Sequence, residues 1–276
     1  MSVFSPRVAL LAVPLALMGL ASCSGPTTTT ASKADFYWSA ALETYAAGDY
    51  NKTADHLEHL IADDNPYAAR AIPFYLVLTS GMASGYMDLA DRYAAGARAK
   101  KEDGLPFRRK ATDYRNIASK LVLRFAQNVD RIGAVPLGSL PLAFPLPKGN
   151  PADSALFARI GKGIEISPED AQMAEVQAVE HSVLMTACLA AGAPNDIAKT
   201  EDILGRPSAS TSRATFGKAI AGMLEKGSTL YSRNQLDEPE KLAALHTRSQ
   251  NVLAEAARVG SARVVALASE GAVQPQ

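Results

Sequence analysis

The sequence predicts an all-α fold, and three observations predict it. Alanine is so frequent that helix propensity outweighs strand propensity along most of the chain. From residue 34 onward apolar residues recur at steps of three and four, the period of one helix face. Glycine and proline then punctuate these stretches at spacings suited to paired helices. With 47% apolar and 20% charged residues in 276, the chain has enough apolar side chains for a sizeable core, and disorder of the whole chain is excluded.

The first segment stands apart from this pattern. Arg7 supplies a positive start, residues 8–20 are apolar, and Ala21-Ser22 are small residues before Cys23. The apolar run falls short of the roughly 20 residues that a membrane span needs, so it reads as a leader. Leu20-Ala21-Ser22-Cys23 resembles a bacterial lipoprotein signal. That resemblance implies removal of residues 1–22, acylation of Cys23 with palmitate-type chains and a lipid anchor in the cell envelope. Ser24, where aspartate commonly retains such proteins in the inner membrane, implies the outer membrane, facing the periplasm. Residues 23–33 are the acylated cysteine and a tether with Gly25-Pro26 and a threonine run, reaching about 30 Å at most. Cys188 is then the lone remaining thiol, within a stretch poor in polar side chains, and a buried small hydrophobe is its expected role.

The body opens at residue 34. Phe36-Tyr37-Trp38, Ala41, Leu42 and Tyr45 mark one helix, which ends at Ala47-Gly48. Asp49 caps a second over residues 50–62, with Ala54, Leu57, Leu60 and Ile61 on one face, and Asn65-Pro66 stops it. Two helices with Gly-Asp-Tyr between them and a following proline resemble a tetratricopeptide repeat, although Thr53 stands where that repeat usually has alanine. A second copy is expected from residues 67–84, apolar nearly all round, with Gly85-Tyr86 opening a partner helix over residues 87–99. Residues 106–132 form the clearest amphipathic helix, from Phe107 through Ala111, Tyr114, Ala118, Leu121, Phe125 and Val129 to Ile132. Residues 34–132 are thus one tetratricopeptide-like helical subdomain of antiparallel pairs.

Residues 133–150 interrupt the helices. Pro136, Pro141, Pro145 and Pro147 forbid a helix, while alternating Leu140, Leu142 and Phe144 argue against free solvation. An extended segment laid along the helical surface is expected, dividing two helical subdomains. The second, residues 151–268, has helices at 171–191 behind the start signature Ser167-Pro168-Glu169-Asp170, then at 196–204, 212–226 and 237–268, before a loose tail at 269–276.

Catalytic signatures are sparse. The phosphate-cradling loop, nucleophile elbow, zincin helix and thiol redox pair are all missing as local motifs, so the expectation is a non-enzyme without a cofactor. His56 and His59 lie three residues apart on one helix, yet no further metal ligand is fixed by spacing, so a solvated face is expected. Adjacent Glu180 and His181 point about 100° apart and need a third group to act on one substrate. A small-ligand or enzyme site near them is the competing expectation.

Charge is distributed unevenly. Net charge is zero before the leader is lost, so no global field draws the chain to nucleic acid. Residues 34–64 hold seven acids against Lys52, whereas residues 106–132 hold seven bases against Asp113 and Asp130. These charges either balance each other within the body or serve partners, which include a second copy of the chain or an anionic lipid or glycan. The leading expectation is a lipid-anchored scaffold or adaptor for a protein partner in the envelope. Tyr45 and Tyr86 on an open groove, with Arg108, Arg109 and Arg115, are the expected partner-binding residues. Ala71-Ile72-Pro73-Phe74 and residues 111–123 also resemble the tetratricopeptide lipoprotein component associated with TRAP-type solute transporters, which implies that role as an alternative.

Overall fold

The computed structural model describes residues 30–100, 103–135, 139–147, 154–232, 236 and 238–271. The expected leader and Cys23 lie outside them. The fold is all-α: nine helices pack on one another among the described residues, with one two-stranded ribbon.

Helix α1, Thr30–Ala46, starts ahead of residue 34 and turns back at Gly48, whose φ of +77° suits a residue without a side chain. Asp49 then caps α2, Tyr50–Ala62, with Lys52 N–H donating to Asp49 Oδ1 at 3.2 Å. The two helices are antiparallel: Tyr45 meets Tyr50 near the turn, and Tyr37 stacks on His59 at 4.4 Å towards the far end. Thr53 is fully buried where they meet; its hydroxyl donates to Asp49 O at 2.9 Å and lies 3.0 Å from Thr44 Oγ1. A hydroxyl is tolerated in this buried position because it is hydrogen-bonded.

Helix α3, Ala68–Ala99, is the axis of the fold, packing against α2 and against α4 (Leu105–Asn128), α5 (Ser154–Gly161), α6 (Pro168–Ala191) and α8 (Arg213–Ser228). It runs unbroken through Gly85 and Tyr86, correcting the expected turn there. The glycines are packing notches instead. A Cβ at Gly81 would lie 2.6 Å from Val183 Cα, and one at Gly85 would lie 2.8 Å from the Ala178 carbonyl oxygen. Closeness of α6 thus offsets the helix cost of glycine, about 0.5–1 kcal/mol against alanine. Pro73 is accommodated in the second turn of α3, and Phe74, Tyr75, Leu76 and Leu78 beyond it are all buried. Burying each such side chain contributes roughly 1.5–3 kcal/mol.

Helix α4, Leu105–Asn128, returns antiparallel to α3, with Tyr93 against Phe107 and Tyr86 against Tyr114. A 3-10 turn, Val129–Ala134, leads towards the proline-rich segment. There Ser139–Pro141 (β1) pairs antiparallel with Ser210–Ser212 (β2), Leu140 opposite Thr211. Leu140, Leu142 and Phe144 are buried, and Phe144 stacks on Phe74 of α3 at 5.3 Å. The segment is therefore extended against the helical surface. Its strand pairing was not legible, because β2 is short and distant in sequence.

Helix α5, Ser154–Gly161, has no counterpart among the expected helices. Helix α6, Pro168–Ala191, starts at the expected signature, with Asp170 N–H donating to Ser167 Oγ at 3.0 Å, and ends at Gly192 with φ +76°. Helices α7, Ile197–Leu204, and α8, Arg213–Ser228, are capped by Asp196 and Ser212. After the turn Thr229–Tyr231, helix α9, Pro239–Gly271, packs on α8. Apolar side chains on both sides of the proline-rich segment, from Ala34 to Leu245, belong to one cluster. Among the described residues no helix is long and apolar enough to cross a membrane.

Candidate functional site

Helix α4 buries Phe107, Ala111, Tyr114, Ala118, Leu121 and Phe125, which turns its bases outward at both ends. The two ends differ in what those bases meet. Near the C-terminal end, the Arg124 guanidinium reaches Asp55 Oδ1 at 2.8 Å and also binds Glu58. Burial disfavours the Arg124 charge, but the hydrogen bonds it donates to Glu58 and Asp55 outweigh it and raise its affinity for the proton. Past the helix, Arg131 donates to Asn128 Oδ1 at 2.9 Å and to the Ile61 carbonyl, and Arg248 of α9 meets Asp130 at 3.0 Å. Here two acids of α2 and one base of α4 balance each other.

In the N-terminal half the bases meet no acid so closely among the described residues. Arg108 and Arg109 are exposed and, with Arg98 of α3, have no side-chain ion pair among the described residues. Arg115 reaches Asp91 only at 4.0 Å, and its Nε is buried without a hydrogen-bond partner. Arg98, Arg108 and Arg115 converge on a groove of about 480 Å³ between the end of α3 and the start of α4. Ala94, Ala97 and Ala111 form its floor, and their methyl side chains leave the guanidinium groups room to be approached. Thr112 also lines it but is engaged locally, donating to the Arg108 carbonyl at 3.0 Å.

Beneath this half a half-buried acid, Glu175, is held by phenols instead of bases. Tyr86 donates to Glu175 Oε1 at 2.9 Å and Tyr114 to Oε2 at 3.4 Å. Burial first, then the Glu175 charge, pushes both phenols well above the ordinary tyrosine range.

Among the expected partner-binding residues, Arg108 and Arg115 are brought together at the groove, and Arg109 lies beside it on the exposed side of α4. Tyr45 and Tyr86 are corrected: both are buried, so neither offers an exposed ring to a partner. Tyr45 packs edge-on against Tyr50 and Phe74, and its hydroxyl has no partner. An aromatic side chain at helical spacing more readily fills a core than a surface, and here both tyrosines fall on inward faces. Arg98 was missed because it sits outside the basic helix and only the α3–α4 hairpin carries it there.

Glu180 and His181 diverge as their spacing requires. Glu180 accepts from Tyr50 Oη at 3.3 Å, while His181 lines a separate cleft with Asp88, Lys218 and Lys226. His56 and His59 lie against Tyr37, and among the described residues no three His, Cys, Asp or Glu side chains group as a metal site. Cys188 is a buried free thiol with its pKa pushed up by burial.

No family model matches this chain, and no curated protein or solved structure matches it.

Proposed function

We propose that this chain is a lipid-anchored protein of the bacterial cell envelope, at the outer membrane facing the periplasm, and that it serves as an adaptor for a protein partner with an acidic surface. The observation that carries this reading is the arginine groove and its place in the fold. Asp35 of α1 accepts from Tyr67 Oη at 2.6 Å, and Trp38 stacks on Tyr67 at 5.3 Å, which sets the start of α1 beside the start of α3. Arg98 lies near the other end of α3, about 45 Å away along the helix axis at 1.5 Å per residue. A tether entering at α1 leaves the groove facing away from the anchoring membrane, which favours a periplasmic partner over the lipid surface. Unpaired guanidinium groups suit carboxylates because their fork matches two oxygens, and a basic rim speeds encounter with an acidic partner.

Two measurements test the reading separately. Cys23→Ser should release a folded protein from the membrane fraction, and its retention there after a high-salt wash would sink the anchor. A photo-crosslinker at exposed Thr112 should capture one specific envelope protein in native cells, and Arg98→Glu with Arg108→Glu should abolish that capture. Failure to recover a specific partner removes the adaptor reading.

A further inference from the structure

Helix α8 holds three interior glycines with different surroundings. A Cβ at Gly217 would meet Ala256 Cβ at 2.8 Å, and one at Gly227 would meet Val122 Cγ1 at 2.8 Å, so close packing by α9 and α4 accounts for both. At Gly222 a Cβ would meet nothing within 4 Å. Glycine there still carries the helix cost of about 0.5–1 kcal/mol against alanine, with no packing contact to offset it. Gly222 is exposed and lines a cleft of about 340 Å³ between α6 and α8, to which Ser84 and Asp88 of α3 also contribute.

The cleft has an apolar floor and a cationic rim. Met185 and Met223 are half-buried along it, and Leu189 is 46% exposed at its far end. Lys218 and Lys226 lie four residues to either side of Gly222, placing them about 12 Å apart along the helix. Lys226 meets Asp88 at 3.7 Å with both side chains half exposed, while Lys218 and His181 have no ion-pair partner among the described residues.

We infer that this cleft binds an anionic amphiphile, with a single aliphatic chain over Met185, Gly222 and Met223 and a carboxylate or phosphate head held at one end by a rim lysine. Flexible methionines adapt to an alkyl chain, and the excess of positive charge selects an anion over a cation. This inference stands on residues separate from the arginine groove and does not depend on the adaptor reading.

The test is calorimetric titration of the purified Cys23→Ser chain with decanoate, decyl phosphate, decanol and decyltrimethylammonium, each below its micellar concentration. At least one anion should bind saturably at one per chain, at least tenfold more tightly than the ammonium compound. Tighter binding of decanoate identifies a fatty-acid-like ligand, and tighter binding of decyl phosphate a lysophospholipid-like head. Gly222→Leu should weaken the anion at least tenfold without lowering Tm, since the new side chain enters open space. Lys218→Gln with Lys226→Gln should weaken the anions and leave decanol unchanged. The inference is overturned if neither anion binds, if the ammonium compound binds as well, or if folded Gly222→Leu binds like the parent.

Discussion

The two halves of helix α4 carry bases of the same kind and put them to different use. Arg124 near its C-terminal end is spent on Asp55 and Glu58 of α2, so it fastens two helices together. Arg108 and Arg109 near the other end face solvent, and beneath them two phenols satisfy Glu175. Charge counted along a sequence is therefore not charge available to a partner. What separates the two halves is the neighbour that tertiary packing supplies: an acidic helix at one end, a tyrosine layer at the other.

The comparison can be broken at several points, the most drastic being high pH. Tyr86 and Tyr114 have folded pKa values raised above their ordinary 10.0. A raised pKa contributes stability that is fully present below about pH 10 and is lost as pH climbs through the folded values. Tyrosinate absorbance and circular dichroism should then change together in one cooperative unfolding above that pH. Independent titration of these phenols in an intact fold would disprove the neutral layer under the N-terminal half.

Arg124→Ala comes next. It removes two charge-assisted hydrogen bonds from a side chain only 29% exposed, and should cost about 2 kcal/mol in urea unfolding. A smaller loss results from Tyr86→Phe, about 1 kcal/mol, because Tyr114 still donates to Glu175. Least of all, Arg98→Ala with Arg108→Ala should leave stability within about 0.5 kcal/mol. A stability loss from that pair as large as that of Arg124→Ala would show that the two ends of α4 are not different after all.

Much of the fold was legible because its signals are local. Asp49, Ser167 and Asp196 cap helices where their side chains and the following apolar period place them. The long α3 was not legible as one helix, since Gly85-Tyr86 reads as a turn until α6 is seen lying against Gly81 and Gly85. The short α5 and the β1–β2 ribbon depend on contacts distant in sequence and left no periodic trace. At the candidate site, Arg108, Arg109 and Arg115 could be named from the basic run. Tyr45 and Tyr86 could not be assigned to the core without the neighbouring helices, and Arg98 could not be added without the α3–α4 hairpin.

Sequence alone determined that this chain is helical, where most of its helices start and stop, and that α4 is basic while α1 and α2 are acidic. These follow from residue type and spacing within a few turns. Tertiary structure decided which of those charges cancel, which glycines are notches, and that the arginine groove lies at the opposite end of α3 from the start of α1. Each of those outcomes depends on what a neighbouring helix brings within a few ångströms, and that distance is set only when the core packs.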